Sequence, residues 1–279
     1  MNDEKIIACV ITFNPDLKIL KKCLFAVKDQ IDEIIIWDNN STNACEIKNY
    51  INDNEQINKK CFFWEHDKNY GVAKSLNTVF SYAEKKNYRW ILTLDQDSIV
   101  PYNMIVEYKK YINKPKVAIV GCRIVDRNLD DAFIEKGDVD LVERLITSGS
   151  LNKIAAWREI RGFDEKLFID SVDTDYNINL INSGYVLLKV NNVLLSHTIG
   201  NIKKITVAGL DLFIYNHSAN RKYYQIRNMF YLDRKYKKLY TFFAIKHFFI
   251  GVIKIIFWED NKVGKLVSMI RGVRDGILL

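Results

Sequence analysis

The chain has 279 residues, enough to bury a sizeable core in one large domain or in a domain with an appendage. Its 48% apolar, 27% charged and 13% aromatic content belongs to a folded globular protein and excludes a disordered one. The net charge of +7 is uneven: residues 201–279 hold 15 of the 41 basic side chains but only 5 of the 34 acidic ones, which suits either an anionic partner such as a membrane surface or a solvated basic helical face at that end.

Taken in order, Ile6–Thr12 reads as a strand, Leu17–Val27 as an amphipathic helix and Glu33–Trp37 as a second strand. Lys60–Glu65 suits a third strand, Val72–Glu84 a helix, Trp90–Leu94 a strand ending in acids, Met104–Tyr111 a helix and Val117–Val125 a strand. From Asp126 to Thr147 charges accumulate and the pattern loosens. Helices follow at Lys153–Glu159 and Thr174–Asn182, then a strand at Tyr185–Leu195. Such alternation predicts an α/β fold, a mostly parallel sheet with helices on both faces. The five cysteines (Cys9, Cys23, Cys45, Cys61, Cys122) include no C-x-x-C pair, so neither a zinc knuckle nor a disulfide framework is expected. Reduced thiols of a cytoplasmic protein are the simpler reading. The polar opening Met1-Asn2-Asp3-Glu4 does not suit a signal peptide.

In parallel sheets ligands bind beyond the carboxyl ends of the strands, which directs attention to Leu94-Asp95-Gln96-Asp97-Ser98. Along an extended chain Asp95 and Asp97 face the same way. Their mutual repulsion is relieved by a cation, and oxygen ligands favour Mg²⁺ or Mn²⁺. An isolated pair of this kind also occurs as a solvated turn. Thr12-Phe13-Asn14-Pro15 and Asp38-Asn39-Asn40-Ser41 end the first two strands, and the acid of the second suits a nucleobase or ribose. The latter stretch also suits an ordinary Asn-rich turn. Asn69-Tyr70-Gly71 precedes a helix whose first amides suit phosphate.

Six pieces carry a family resemblance: Val10-Ile11-Thr12-Phe13-Asn14, Trp37-Asp38-Asn39-Asn40-Ser41, Asn69-Tyr70-Gly71-Val72-Ala73, Leu94-Asp95-Gln96-Asp97-Ser98, Phe168-Ile169-Asp170-Ser171-Val172-Asp173 and Ser196-His197-Thr198-Ile199-Gly200. In this order they resemble the inverting family 2 glycosyltransferases of the GT-A fold, and most of all the bacterial rhamnosyltransferase-like members, over residues 5 to 235. The resemblance implies a catalytic domain at 1–215, with a nucleotide half at about 1–125 and an acceptor half at 126–215, followed by a basic, aromatic helical region at 216–279. It implies that Asp38 and Asp95 contact the nucleoside, with Thr12, Asn14, Asn40, Asn69 and Gly71 completing the nucleotide-sugar site. Asp97, with Asp95, holds the metal, and His197 completes its shell or serves as a structural histidine. The base is assigned to Asp173, with Asp170 and Asp175 as alternatives, because the usual Glu-Asp pair reads Val172-Asp173 here. Asp173 also suits a helix cap. The best-matching reaction moves L-rhamnose from dTDP-rhamnose to a hydroxyl of a growing, lipid-linked surface polysaccharide. A UDP-linked galactose or GlcNAc donor, a nucleotidyltransferase and an inactive sugar-binding module are the alternatives. Thr147-Ser148-Gly149-Ser150 is expected to line the acceptor cleft.

Beyond residue 220, Arg227 in Tyr223-Tyr224-Gln225-Ile226-Arg227-Asn228 suits a diphosphate. Thr241–Trp258 is densely apolar, with Lys246, His247 and Lys254 confined to an arc of about 100° at helical spacing. It predicts a helix lying in the membrane interface with its lysines toward the headgroups, or one packed on the catalytic domain or on a second subunit of a homodimer. The expected protein is peripheral on the inner face of the cell membrane. Nucleic-acid binding is disfavoured, because the positive excess sits beside a Phe/Ile-rich helix.

Overall fold

The computed structural model describes residues 4–126, 137–197, 203–207, 210–236 and 241–279. In chain order the elements are β1 (Ile6–Thr12), α1 (Leu17–Val27), β2 (Glu33–Asp38), α2 (Ala44–Asp53), α3 (Glu55–Asn58), β3 (Cys61–Glu65), α4 (Gly71–Lys85), β4 (Trp90–Asp95), α5 (Met104–Lys109) and β5 (Val117–Asp126). Then come β6 (Val139–Val142), β7 (Ser150–Lys153), α6 (Ile154–Glu159), α7 (Val172–Asn182), β8 (Val186–His197), β9 (Lys203–Val207), β10 (Leu210–Ile214), α8 (Ala219–Lys235), α9 (Thr241–Trp258) and α10 (Lys262–Leu278). They fall into two units: Met1–Glu165 with Asp173–Thr198, and Lys166–Val172 with Ile199–Leu279.

The first unit is built on an eight-stranded sheet of order β3-β2-β1-β4-β7-β5-β8-β6. Strands β3, β2, β1 and β4 run parallel, as do β5 and β8. β7 is antiparallel to β4 and β5, and β6 to β8, so the sheet is mostly parallel as expected. The parallel strands are apolar on both faces because helices cover both. Ile6, Ala8 and Val10 pack with Leu20, Leu24 and Val27 of α1. Ile7 and Cys9 are equally buried and point the other way, and α4 packs on β1. Burying each of Ile34, Ile35 and Ile36 stabilises the unit by about 1.5–3 kcal/mol. α1 begins where it does because the Asp16 carboxylate accepts from Lys18 N (2.8 Å) and Ile19 N (3.3 Å). All five cysteines are free, and only Cys45 is exposed.

The sequence pattern did not predict β7. This strand brings Thr147-Ser148-Gly149-Ser150 against β4, where Ser148 and Ser150 are buried, so the stretch expected to line an acceptor cleft is packed inside the unit. Gly149 has φ +76° and donates its N–H to Thr93 O (2.8 Å), and its carbonyl accepts from the Tyr108 hydroxyl (2.6 Å).

In the second unit α10 lies close on α8, since a Cβ at Gly272 would sit 2.7 Å from Tyr223 O. One cluster of this unit joins the buried Ile226, Ile255 and Met269, with Phe230, Phe248 and Val252 half-buried against them. Beside it Glu259 is buried and accepts from Lys222 (2.7 Å) and Lys265 (3.0 Å). Burial alone would raise the Glu259 carboxyl, but these two ammonium groups outweigh it and hold it below the usual carboxylate range. α9 forms as predicted, but Lys254 does not turn toward solvent. Its ammonium donates to Phe213 O (2.9 Å), and burial together with nearby Lys222 lowers its pKa.

Gly149→Ala is expected to lower the unfolding free energy by about 2–4 kcal/mol in urea titration. A side chain there is strained by the left-handed backbone and meets Cys122 Sγ at 2.7 Å. An unchanged midpoint would show that this loop relaxes freely.

Candidate active site

The parallel register sets the carboxyl ends of β1, β2 and β4 side by side, pairing Thr12 with Asp38 and Ile11 with Asp95. Asp38 is fully buried. Its Oδ1 accepts from the hydroxyls of Thr12 (2.8 Å) and Ser41 (2.5 Å), and its Oδ2 from Ser41 N (2.8 Å). Here Asp38 orders the strand ends, tying β1 to the turn after β2. Asn14, at φ +47°, clamps the two loops: its Oδ1 accepts from Thr42 N (2.8 Å) and the Thr42 hydroxyl (3.0 Å), and its own N–H donates to Ser41 Oγ (2.8 Å). Asn40 is exposed at φ +65°, a left-handed conformation that Asn tolerates.

Asn39, which the sequence reading does not single out, is a second buried hub. Its Oδ1 accepts from Trp37 Nε1 (3.0 Å), Tyr70 N (3.0 Å) and the Ser75 hydroxyl (3.3 Å), tying β2 to the start of α4. The Trp37 ring stacks on His66 with centroids 3.7 Å apart, and His66 Nδ1 lies 3.2 Å from Asp38 O. Asn69 Oδ1 accepts from Gly71 N (2.8 Å), so in this state the first amide of α4 is bound by its own loop rather than open to a phosphate. Gly71 has φ +77°, which explains a glycine at this position.

The acidic pair is presented differently from the extended-chain expectation. β4 ends at Asp95, and Gln96-Asp97 form a turn in which Ser98 N donates to Asp95 O (3.2 Å). Asp95 and Asp97 are both half-buried. The turn is held from three sides. Gln96 Oε1 accepts from Phe13 N (2.8 Å), Ser148 Oγ accepts from Asp95 N (3.0 Å) and lies 2.6 Å from Ser98 Oγ, and Ile99 exchanges two backbone hydrogen bonds with Ser196 (2.9 and 3.2 Å). The last contact brings the end of β8, and with it the backbone of His197, alongside the acidic turn. The His197 side chain and the following Thr198-Ile199-Gly200 lie outside the described residues.

The three acids weighed as a base have distinct surroundings. In the first unit Asp173 stands half-buried in the first turn of α7, its Oδ1 accepting from Thr174 N (2.7 Å). Asp175 is fully buried and accepts from Asn179 Nδ2 (3.1 Å). In the second unit Asp170 pairs with Arg221 (3.2 Å), and its carbonyl accepts from Asn228 Nδ2 (2.7 Å). The nearby His217 is pushed down to about 4 by burial and by Arg221, so it is neutral at pH 7. Arg227 is committed within the same unit, donating to Lys166 O (2.5 Å) and to Asn228 Oδ1 (2.7 and 2.9 Å) and lying over Tyr224.

No group of three or more His, Cys, Asp or Glu side chains able to hold a metal is present among the described residues. Among those residues the turn itself supplies two carboxylates, Asp95 and Asp97. Two carboxylates on one turn do fit a hard cation of the Mg²⁺ or Mn²⁺ kind, which takes one or two protein oxygens and fills its shell from phosphate and water.

Residues 7–173 match the model of the family described as glycosyl transferase family 2. The dTDP-rhamnosyl transferase RfbF of Shigella flexneri is 26% identical over 294 residues, spanning 99% of this chain and 96% of that one. Among solved structures the chain resembles GalNAc-T7 with UDP, GalNAc and Mn²⁺ (TM-score 0.64, 12% identity, 95% of this chain and 54% of that one). It also resembles the mannosyltransferase PcManGT of Pyrobaculum calidifontis with GDP-Man and Mn²⁺ (0.59, 13%, 98% and 72%) and S. aureus TarS (0.56, 13%, 97% and 43%). At such identities these likenesses establish the GT-A fold alone. The chain spans less than half of TarS and about half of GalNAc-T7.

Ser41→Ala removes one hydroxyl from a wholly buried carboxylate. It is expected to lower the unfolding free energy by about 1–3 kcal/mol in chemical denaturation, and a neutral effect would show that Asp38 finds another donor.

Proposed function

The chain belongs to glycosyl transferase family 2, and on that premise we propose that it moves L-rhamnose from dTDP-rhamnose, with inversion, onto a hydroxyl of a growing, lipid-linked bacterial surface polysaccharide. The observation that carries sugar transfer is the hydrogen-bonded rim joining Thr12, Asn14, Asp38 and the Asp95–Asp97 turn at one sheet edge. The choice of rhamnose is supported by the likeness to a dTDP-rhamnosyl transferase along almost the whole length of both chains. In this reading residues 1–215 are catalytic, and the protein works at the cytoplasmic face of the membrane.

Asp95 and Asp38 hold the nucleoside, Asp38 after exchanging a bond with Ser41 or Thr12. Asn14 and Asn40 shape the loops around it, and the start of α4 meets the phosphates once Gly71 N exchanges its bond to Asn69 for a phosphate oxygen. Asp97 and Asp95, with His197, are the residues that would hold Mg²⁺ or Mn²⁺. When bound, the ion supplies Lewis-acid neutralisation of the diphosphate. Asp173 takes the proton of the acceptor hydroxyl as its oxygen attacks the anomeric carbon. The bond from that carbon to the diphosphate breaks on the opposite face through an oxocarbenium-like transition state, and a single displacement inverts the centre. Asp173 is favoured over its neighbours because Asp175 is buried and Asp170 is paired with Arg221. Arg227 would reach the diphosphate after exchanging its bonds to Lys166 O and Asn228 Oδ1.

The test is turnover of dTDP-rhamnose against UDP-galactose and UDP-GlcNAc with Mg²⁺ or Mn²⁺. The dTDP donor is expected to be consumed, and selective use of a UDP donor would overturn the assignment of the sugar. Asp97→Ala should cut turnover at least about a hundredfold without shifting the melting temperature; unchanged turnover would remove the metal assignment. Asp173→Asn should keep dTDP binding while kcat falls about 10²–10⁴-fold, and full activity would move the base elsewhere.

A further inference from the structure

α9 turns its apolar side to solvent. It buries Ala244 and Ile255, while Ile245, Phe249, Ile253 and Phe257 recur at every fourth position with 43–67% of each exposed. At 100° per residue these four span about 120° of the helix surface. α10 does the same: Lys265, Met269, Gly272 and Gly276 face inward, while Val263, Val267 and Ile270 stand 50–76% exposed within about 60° of one another. An apolar groove of about 360 Å³ is shared by α8, α9 and α10, lined by Phe230, Phe248, Phe249, Ile270 and Arg274 among others. Two adjoining apolar faces of this size are not left in water by a globular protein without a partner.

The charges around them select the partner. α9 has no acidic residue, and Lys246 rises from within its apolar arc. Lys262 and Arg271 flank the exposed face of α10, and its acid, Asp275, is already bonded to Arg274 (2.7 Å) and Tyr223 (2.9 Å). A second copy of the same face would set these cations against one another, whereas an anionic lipid surface complements them. No helix among the described residues is long and apolar enough to cross a membrane. The 18 residues of α9 reach only ~27 Å, short of the ~30 Å hydrocarbon core of a bilayer.

We infer that the exposed faces of α9 and α10 form an in-plane insertion surface for an anionic phospholipid bilayer. Phe249, Ile253, Phe257 and Ile270 enter the acyl boundary. Lys246, Lys262 and Arg271 meet headgroup phosphates, Lys246 by extending its long stem upward. Lys254, bonded to Phe213, has no part in this surface. The inference gives the lipid-linked acceptor of the proposed function a place to be met, but it stands on the geometry of the second unit alone.

The test is flotation of the full chain with vesicles of phosphatidylcholine alone and of phosphatidylcholine mixed with phosphatidylglycerol. The chain should bind the mixed vesicles more strongly, and added salt should weaken that binding. The double variant Phe249→Glu, Phe257→Glu changes only exposed side chains and should lose roughly tenfold or more on both vesicle types. Lys246→Glu with Arg271→Glu should lose the preference for anionic vesicles, with melting curves confirming that both variants fold. The inference fails if the wild type ignores both vesicles or if the Phe→Glu variant binds like it. It also fails if light scattering shows the wild type as a dimer that the Phe→Glu variant splits while neither floats. dTDP binding on the same samples reports the donor reading separately, so loss of one leaves the other standing.

Discussion

A carboxylate sealed from water must have its hydrogen bonds supplied by the chain, and the wholly buried Asp38 imposes that requirement on everything near it. Thr12 and Ser41 meet it, which fixes the end of β1 against the turn after β2. Asn14 and Gln96 carry the constraint to the neighbouring loops, and Ser148 carries it to the entry of β7. The strand ends thus form one cross-linked rim rather than separate flexible tips. A site that places a sugar donor within ångströms of its acceptor needs such preorganisation, because loose side chains lose the orientation that lowers the barrier.

The elements most legible in the sequence are those whose burial is decided by composition alone. β1, β2 and β4 are runs of Ile, Val, Trp and Leu sealed between helices, and their ends fall within a residue of the pattern. β7 escapes that logic because Ser150-Leu151-Asn152-Lys153 is short and half polar. It is a strand only because β4 and β5 stand on either side of it. α2 and α3 escape too, since their Asn, Asp and Glu content hides the spacing of Ile47, Ile51 and Ile57. The acidic pair was visible as a pair, but its turn was not, because the bonds that bend the chain come from Phe13, Ser148 and Ser196, far away in sequence. The hub role of Asn39 depends in the same way on Tyr70 and Ser75. Periodicity placed Lys246 and Lys254 on one arc of α9, but a carbonyl on Phe213 decided that Lys254 faces inward.

The second unit follows a different economy. α10 approaches α8 along glycines, and the buried Glu259 is shared by two lysines. Removing one partner from such a cluster leaves an uncompensated charge, so the arrangement secures a defined geometry more than a large stability.

In the proposed reaction the Asp95–Asp97 turn would hold a divalent ion on the diphosphate of the donor. Titrating dTDP into the full chain by calorimetry, once with Mn²⁺ and once with EDTA, measures this directly. Binding at least about tenfold tighter with Mn²⁺ is expected, a gain of about 1.4 kcal/mol or more. Equal affinities in the two buffers would contradict it.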